Sequence, residues 1–192
     1  LYWPALLLPT TLFLYLYGAL FIPRSLPTYQ SDPPPLRLMT FNLWSGSHRA
    51  KTAQVLLEQG LPDIVTFQEL TPTMQRLLLK TVGNHYPYHF FDTTAGHGGL
   101  GVLSRYPLER VRTDPFIELS CRQFRVTVDA MHHVRLYNCH PQSTNLLHLA
   151  SAWPTLIRQI KETFWMRSLL AKQLVKEIEA QGEPTLVMGD FN

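Results

Sequence analysis

From Leu1 to Ile22 the chain carries no Asp, Glu, Lys or Arg, only a continuous stretch rich in Leu, Tyr and Phe. Wound as a helix, these 22 residues would reach about 33 Å, enough for a bilayer core of ~30 Å. Residues 1–23 are therefore expected to form a transmembrane anchor, with Tyr2, Trp3, Tyr15 and Tyr17 suited to the interfaces. Pro4 and Pro9 are expected to kink that helix or to place its start near residue 9. A cleaved signal peptide is the alternative, weakened because no small-x-small cleavage site follows the apolar run. Residues 24–35 (RSLPTYQSDPPP) read as an extended, Pro-rich tether.

From Leu36 onward the pattern becomes that of a folded domain, 36–192. Leu36–Phe41 alternates apolar and polar and predicts a strand; Asp63–Gln68 predicts a buried one. Between them His48–Gln59 predicts a helix ended by Gly60. Thr71 caps a second helix with Pro72 at its first position, and Gly83 ends it. Further strands are expected at Tyr88–Phe91, Leu100–Ser104, Phe124–Ala130, Val134–Cys139 and Thr185–Met188. A long helix is expected from about Ala152 to Gln181, before Gly182 and Pro184 stop it. Helices alternate with strands early and strand pairs fill the middle, which predicts an α/β (α+β) sandwich with helices outside.

Composition narrows the reading. Hydrophobic residues at 45% and charged residues at 16% exclude intrinsic disorder. The net charge of +3 is a mild bias towards anionic partners, too small to diagnose nucleic acid. Cys121 and Cys139 exclude a Cys-rich zinc module and leave one disulfide or none. A chain that opens at Leu1 and closes at Asn192, straight after an apolar run, reads as a fragment cut at both ends.

The chemistry gathers where apolar strands stop. Asn42 follows LMTF, Glu69 follows DIVTFQ, His140 follows VRLYNC, and Asp190 and Asn192 follow TLVMG. Singly, each has an ordinary explanation as a turn, cap or surface residue; together they place polar groups where strand ends converge on a ligand. Carboxylates and amide oxygens are hard ligands, suited to Mg²⁺, Mn²⁺ or Ca²⁺ rather than zinc. A hard cation beside a histidine and an asparagine suits stabilisation of charge on a phosphate. Gly96–Gly101 formally fits a dinucleotide fingerprint, but an apolar strand follows it instead of a helix, so it is read as a flexible loop.

Met39-Thr40-Phe41-Asn42, Pro62 to Glu69 (PDIVTFQE), Gly99 to Pro107 (GLGVLSRYP), Asn138-Cys139-His140 and Gly189-Asp190-Phe191-Asn192 resemble the successive motifs of the endonuclease/exonuclease/phosphatase superfamily. That group includes deoxyribonuclease I-like nucleases, neutral sphingomyelinases and inositol-polyphosphate phosphatases, and the leading apolar stretch resembles membrane-anchored bacterial members. The resemblance implies a four-layer α/β/β/α sandwich, incomplete at the C-terminus because the family's later Asp and Asp-His pair would lie beyond Asn192. It implies that Glu69 binds the catalytic Mg²⁺ or Mn²⁺ with Asn42 close by. Asp190 would orient and activate the attacking water, Asn192 would hold a phosphate oxygen or the water, and His140 would donate to the phosphate.

Arg105 either points at phosphate or pairs on the surface, and Arg167 either braces the rim of the site or lies on a solvated helix face. His132 and His133 read as exposed residues of a hairpin turn. The expected activity is metal-dependent hydrolysis of a P–O bond in a phosphodiester or phosphomonoester, on a membrane-proximal or lipid-linked substrate. A nuclease is the first alternative, and a catalytically inactive, membrane-tethered binding module the second. The expected partners are the bilayer and a phosphate-ester substrate, nucleic acid included, with no protein partner predicted. The domain is expected at the membrane on its extracytoplasmic side.

Overall fold

The computed structural model describes residues 3–18, 35–44, 49–93, 98–143 and 153–192. The chain divides into two units, Leu1–Pro35 and Leu36–Asn192.

In the first unit, α1 spans Trp3–Tyr17, 15 residues. Its length of about 22 Å at ~1.5 Å per residue falls short of a hydrocarbon core of ~30 Å. Among the described residues no helix is long and apolar enough to cross a membrane, so the expected transmembrane helix is not supported; its last residues, 19–23, lie outside the described ones. The prolines act differently from the expectation too. The helix starts at Trp3, so Pro4 falls in its first turn, and Pro9 lies inside without ending it. The tether, up to Pro34, lies outside the described residues.

The second unit holds eight strands and four α-helices among its described residues: β1 (Leu38–Asn42), α2 (Arg49–Glu58), β2 (Ile64–Gln68), α3 (Pro72–Val82), β3 (Tyr88–Asp92), β4 (Leu100–Ser104), β5 (Leu108–Val111), α4 (Pro115–Glu118), β6 (Cys121–Thr127), β7 (His133–Cys139), α5 (Trp153–Gln181) and β8 (Thr185–Gly189). The strands form two four-stranded sheets, ordered β1-β2-β4-β3 and β5-β6-β7-β8. β1 runs parallel to β2 and β7 parallel to β8, while the remaining neighbours are antiparallel.

Three apolar clusters define four layers. Ile64 and Val102 of the first sheet meet Phe124, Val126 and Leu136 of the second. Val65, Phe67 and Leu103 face the other way, onto Leu56 of α2 and Met74, Leu78 and Val82 of α3. Tyr137, Cys121 and Cys139 pack under Leu170 and Leu174 of α5 and Ile117 of α4. The period-two alternation of each central strand thus feeds two cores at once, as strands covered on both faces require. The result is an α/β/β/α sandwich.

Local chemistry accounts for the element ends. Thr71 Oγ1 accepts from the Met74 N–H at 3.3 Å, with Pro72 in the first turn of α3, as the sequence predicts. The two cysteines join directly across the last pair of the β6–β7 ladder.

A buried polar strip runs between the sheets. Gln68 Nε2 donates to Asn138 Oδ1 at 2.7 Å, and Asn138 Nδ2 donates to the Phe67 and Gly101 carbonyls at 3.1 and 2.9 Å. Both side chains are fully or almost fully buried, so these bonds replace the water each amide gives up.

Candidate active site

Because β1 and β2 are parallel, and β7 and β8 are parallel, their C-terminal ends pair off: Asn42 beside Gln68, Cys139 beside Gly189. The next residues out are Glu69, His140 and Asp190. The two pairs meet across the sandwich, since Asn42 Nδ2 donates to Asp190 Oδ2 at 2.7 Å and to Glu69 Oε1 at 3.2 Å. Two carboxylates from different sheets therefore share one amide nitrogen. His140 Nε2 lies 3.8 Å from Glu69 Oε1, beyond hydrogen-bond range, and has no hydrogen-bond partner among the described residues although it is buried.

The orientation of Asn42 follows from its own surroundings. Its Oδ1 accepts the Trp44 main-chain N–H at 2.8 Å, which leaves the amide nitrogen to face the carboxylates. Asn42, expected at the cation beside Glu69, would have to turn that oxygen to it as a ligand; in this arrangement the amide nitrogen faces Glu69 and Asp190.

Glu69 is held in the left-handed region at φ +56°, a conformation that costs a non-glycine residue about 1–2 kcal/mol. The chain on either side enforces it: Gln68 ends a five-residue ladder, and the Leu70 N–H donates to the Gly99 carbonyl at 2.9 Å. Strain of this kind at a site residue points to function. Gly99 is indispensable to the contact, because a Cβ there would lie 1.9 Å from the Leu70 carbonyl oxygen. The glycine run thus supplies a close backbone approach beside Glu69, where the sequence suggested only a flexible loop; positions 94–97 lie outside the described residues.

Asp190 is ionised at neutral pH. Partial burial opposes its charge, but the Asn192 N–H, the Asn42 amide and the neighbouring His140 outweigh that and hold its carboxyl below the usual range. The Asn192 N–H reaches Asp190 Oδ1 at 2.9 Å, and Asn192 Nδ2 donates to the Pro141 carbonyl at 3.0 Å. Arg167 Nη1 donates to the Asn192 carbonyl, so Arg167 joins the rim. A cleft of about 1170 Å³ opens from Glu69, His140 and Asn192 towards Trp44, Met166 and Arg167.

Arg105 is a correction. β4 runs antiparallel to β2, with Leu100 opposite Gln68 and Ser104 opposite Ile64. The residue after β4 therefore emerges at the far rim, about 17 Å away at ~3.4 Å per residue. There Arg105 pairs with Asp63 at 3.5 Å.

Among the described residues no group of three or more His, Cys, Asp and Glu side chains gathers as a ready metal cage. The donors present still suit one hard cation. Glu69 and an ionised Asp190 bring two negative charges together, and Mg²⁺ commonly takes only one or two carboxylates and completes its shell with water and substrate oxygens.

Comparison with known proteins supports the architecture. A humanized D. rerio TDP2 superposes with a TM-score of 0.58 at 18% identity, covering 82% of this chain and 62% of that one. The 3′ phosphatase NExo from Neisseria, bound to a product DNA hairpin, gives 0.56 at 19% identity, covering 82% and 58%. The chain thus spans about three fifths of the length of these structures. The 3-methylorcinaldehyde synthase of Sarocladium schorii is 23% identical over 138 residues, 71% of this chain but 4% of that protein. Residues 39–192, from the strand that delivers Asn42 to the loop that ends in Asn192, match the sequence model of the Endonuclease/Exonuclease/phosphatase family, and the chain belongs to that family.

Proposed function

We propose that this chain carries the hydrolytic site of a divalent-metal-dependent phosphoesterase. Members of its family are hydrolases of phosphate esters that generally use divalent metal ions. One observation carries the reading for this chain: Glu69 and Asp190, from separate sheets, converge on the single amide of Asn42.

In this reading Glu69 holds Mg²⁺, or Mn²⁺, with Asp190 adjacent. The bound cation supplies charge neutralisation at the phosphate oxygens. Asp190, kept ionised below the usual carboxylate range, is a weak proton acceptor and acts chiefly by orienting the attacking water. His140, with a buried Nε2 facing Glu69 and no hydrogen-bond partner among the described residues, donates to a phosphate oxygen as charge builds there. Asn42 keeps the carboxylates from drifting apart, and Asn192 contacts the phosphate or the water. Arg167 fixes the Asn192 backbone.

The substrate proposed is a phosphate ester, nucleic acid included, since the Neisseria relative holds a DNA product. With no helix among the described residues long and apolar enough to cross a membrane, nothing favours a lipid-linked substrate over other phosphate esters. An extracytoplasmic location stays a proposal, supported by the Cys121–Cys139 disulfide, since such bonds persist chiefly in oxidising compartments.

The test is hydrolysis of an activated phosphodiester and phosphomonoester and of a DNA hairpin by the full chain, with Mg²⁺ and with EDTA. Glu69→Ala and Asp190→Ala are each expected to lower turnover by ~100-fold or more. Metal-independent hydrolysis, or full activity in either variant, would overturn the proposal.

A further inference from the structure

We infer that the Cys121–Cys139 disulfide is a positioning element of this active site, holding the strand ends from which His140 and Asp190 extend. The inference rests on the phosphoesterase reading for its kinetic consequence, and on geometry alone for its structural one.

Cys121 and Cys139 are directly opposed, and they form the terminal pair of the β6–β7 ladder on the side where the site lies. Terminal pairs fray most readily, because one side of the ladder is missing. Cys139 lies one residue from His140, and Cys121 one residue from the carbonyl that holds the His140 main chain. Ser120, next to Cys121, accepts the His140 main-chain N–H at 2.7 Å, and His140 follows Cys139. The Cys139 carbonyl accepts the Asp190 N–H at 3.1 Å. Gly189, the residue before Asp190, presses on that same carbonyl so closely that a Cβ would lie 1.9 Å from it.

The main-chain N–H groups of His140 and Asp190 thus both bond to a half-cystine or its immediate neighbour. Both cysteines are fully buried beneath α4 and α5, in contact with Ile117, Leu170 and Leu174. When a dithiol reductant breaks the bond, it is oxidised to its cyclic disulfide and the two sulfurs take up two protons as thiols. The last rung then depends on main-chain bonds alone. The His140 imidazole lies 3.8 Å from Glu69, and displacement of a reacting group by ~1 Å is enough to cost ~100-fold in rate.

A staple that merely strengthened the hairpin would act on its whole length, so the far end is the internal control. His132 stands in the turn at that end, held by Asp129 at 2.8 Å. The experiment compares the oxidised full chain, the Cys121→Ala/Cys139→Ala variant, and wild type refolded under dithiol. Each is taken at a temperature where far-UV circular dichroism matches that of the oxidised protein. Histidine ring signals are read by NMR at one fixed pH, with His140 assigned by its loss in His140→Gln, beside kcat and KM for an activated phosphodiester.

The expected result is a shifted or broadened His140 signal with His132 unmoved, and kcat lower by ~10-fold or more with KM changed less than ~2-fold. A His140 signal in its oxidised position, with kcat retained, would overturn the inference. So would equal changes at His132, or unfolding of both bond-free forms, since the disulfide would then support the sheet and not the site. If the oxidised wild type hydrolyses nothing, the phosphoesterase reading fails, and the two histidine signals still decide the positioning.

Discussion

Asn42 shows how little is needed to join two sheets at a reactive point: one amide, with its oxygen on the Trp44 N–H and its nitrogen between two carboxylates. Its neighbours Glu69 and Asp190 could be picked out from sequence because each follows an apolar strand, where a charged side chain has no core to enter. The amide's orientation could not, since it depends on the Trp44 main chain folding back at φ +42°. The close approach at Gly99 is as demanding. Gly99→Ala is expected to cost about 3 kcal/mol, because a methyl group meets backbone and not a yielding side chain. Urea unfolding midpoints of the variant and the wild type measure it.

Among the elements, strands covered by helix on one side and sheet on the other were the easiest to place. β2 and β4 appear within one residue of the expected bounds, because continuous apolar character flanked by turn residues leaves few alternatives. β5 and α4 were missed. LERV offers too little apolar alternation, and PFIE is a single turn marked only by the Asp114 cap and Pro115. Asn138 belongs to the Asn138-Cys139-His140 motif, but nothing in one sequence shows that its buried amide bridges to Phe67 and Gly101. Asn138→Ala would leave Gln68 Nε2 with Thr40 Oγ1 alone, at 3.2 Å, and would take a side-chain donor from two carbonyls in a buried seam. We expect a loss of about 3 kcal/mol, read from chemical denaturation.

Below α3, the Tyr86 hydroxyl donates to the Pro62 carbonyl at 2.8 Å, and burial pushes its phenol up to about 12. The neutral form is the one the fold favours. Its contribution is complete below the ordinary phenol range near ~10 and is lost as pH rises towards about 12. Thermal stability should fall across that window, and Tyr86→Phe should flatten the decline in melting curves. An alkaline loss persists in that variant, because burial and the carboxylate of Glu177 also raise the Tyr137 phenol.

For the molecule as a whole, strand direction decides which residues belong together, and direction is invisible to local patterning. Arg105 follows an apolar strand just as His140 does, yet β4 runs the other way and carries it to the opposite rim. Arg105→Ala is accordingly expected to change turnover less than ~2-fold, as an exposed pair with Asp63 contributes at most ~1 kcal/mol; steady-state kinetics against wild type check it. Gly99 and Gly189 occupy equivalent situations in the two halves. Each presses against a carbonyl, one belonging to the residue after Glu69 and the other to the residue before His140. A programme to diversify this scaffold therefore has wide latitude on the outward faces of α3 and α5 and almost none at these two positions. A single added methyl at either would reach the acidic pair through the main chain, and no rearrangement of nearby side chains could absorb it.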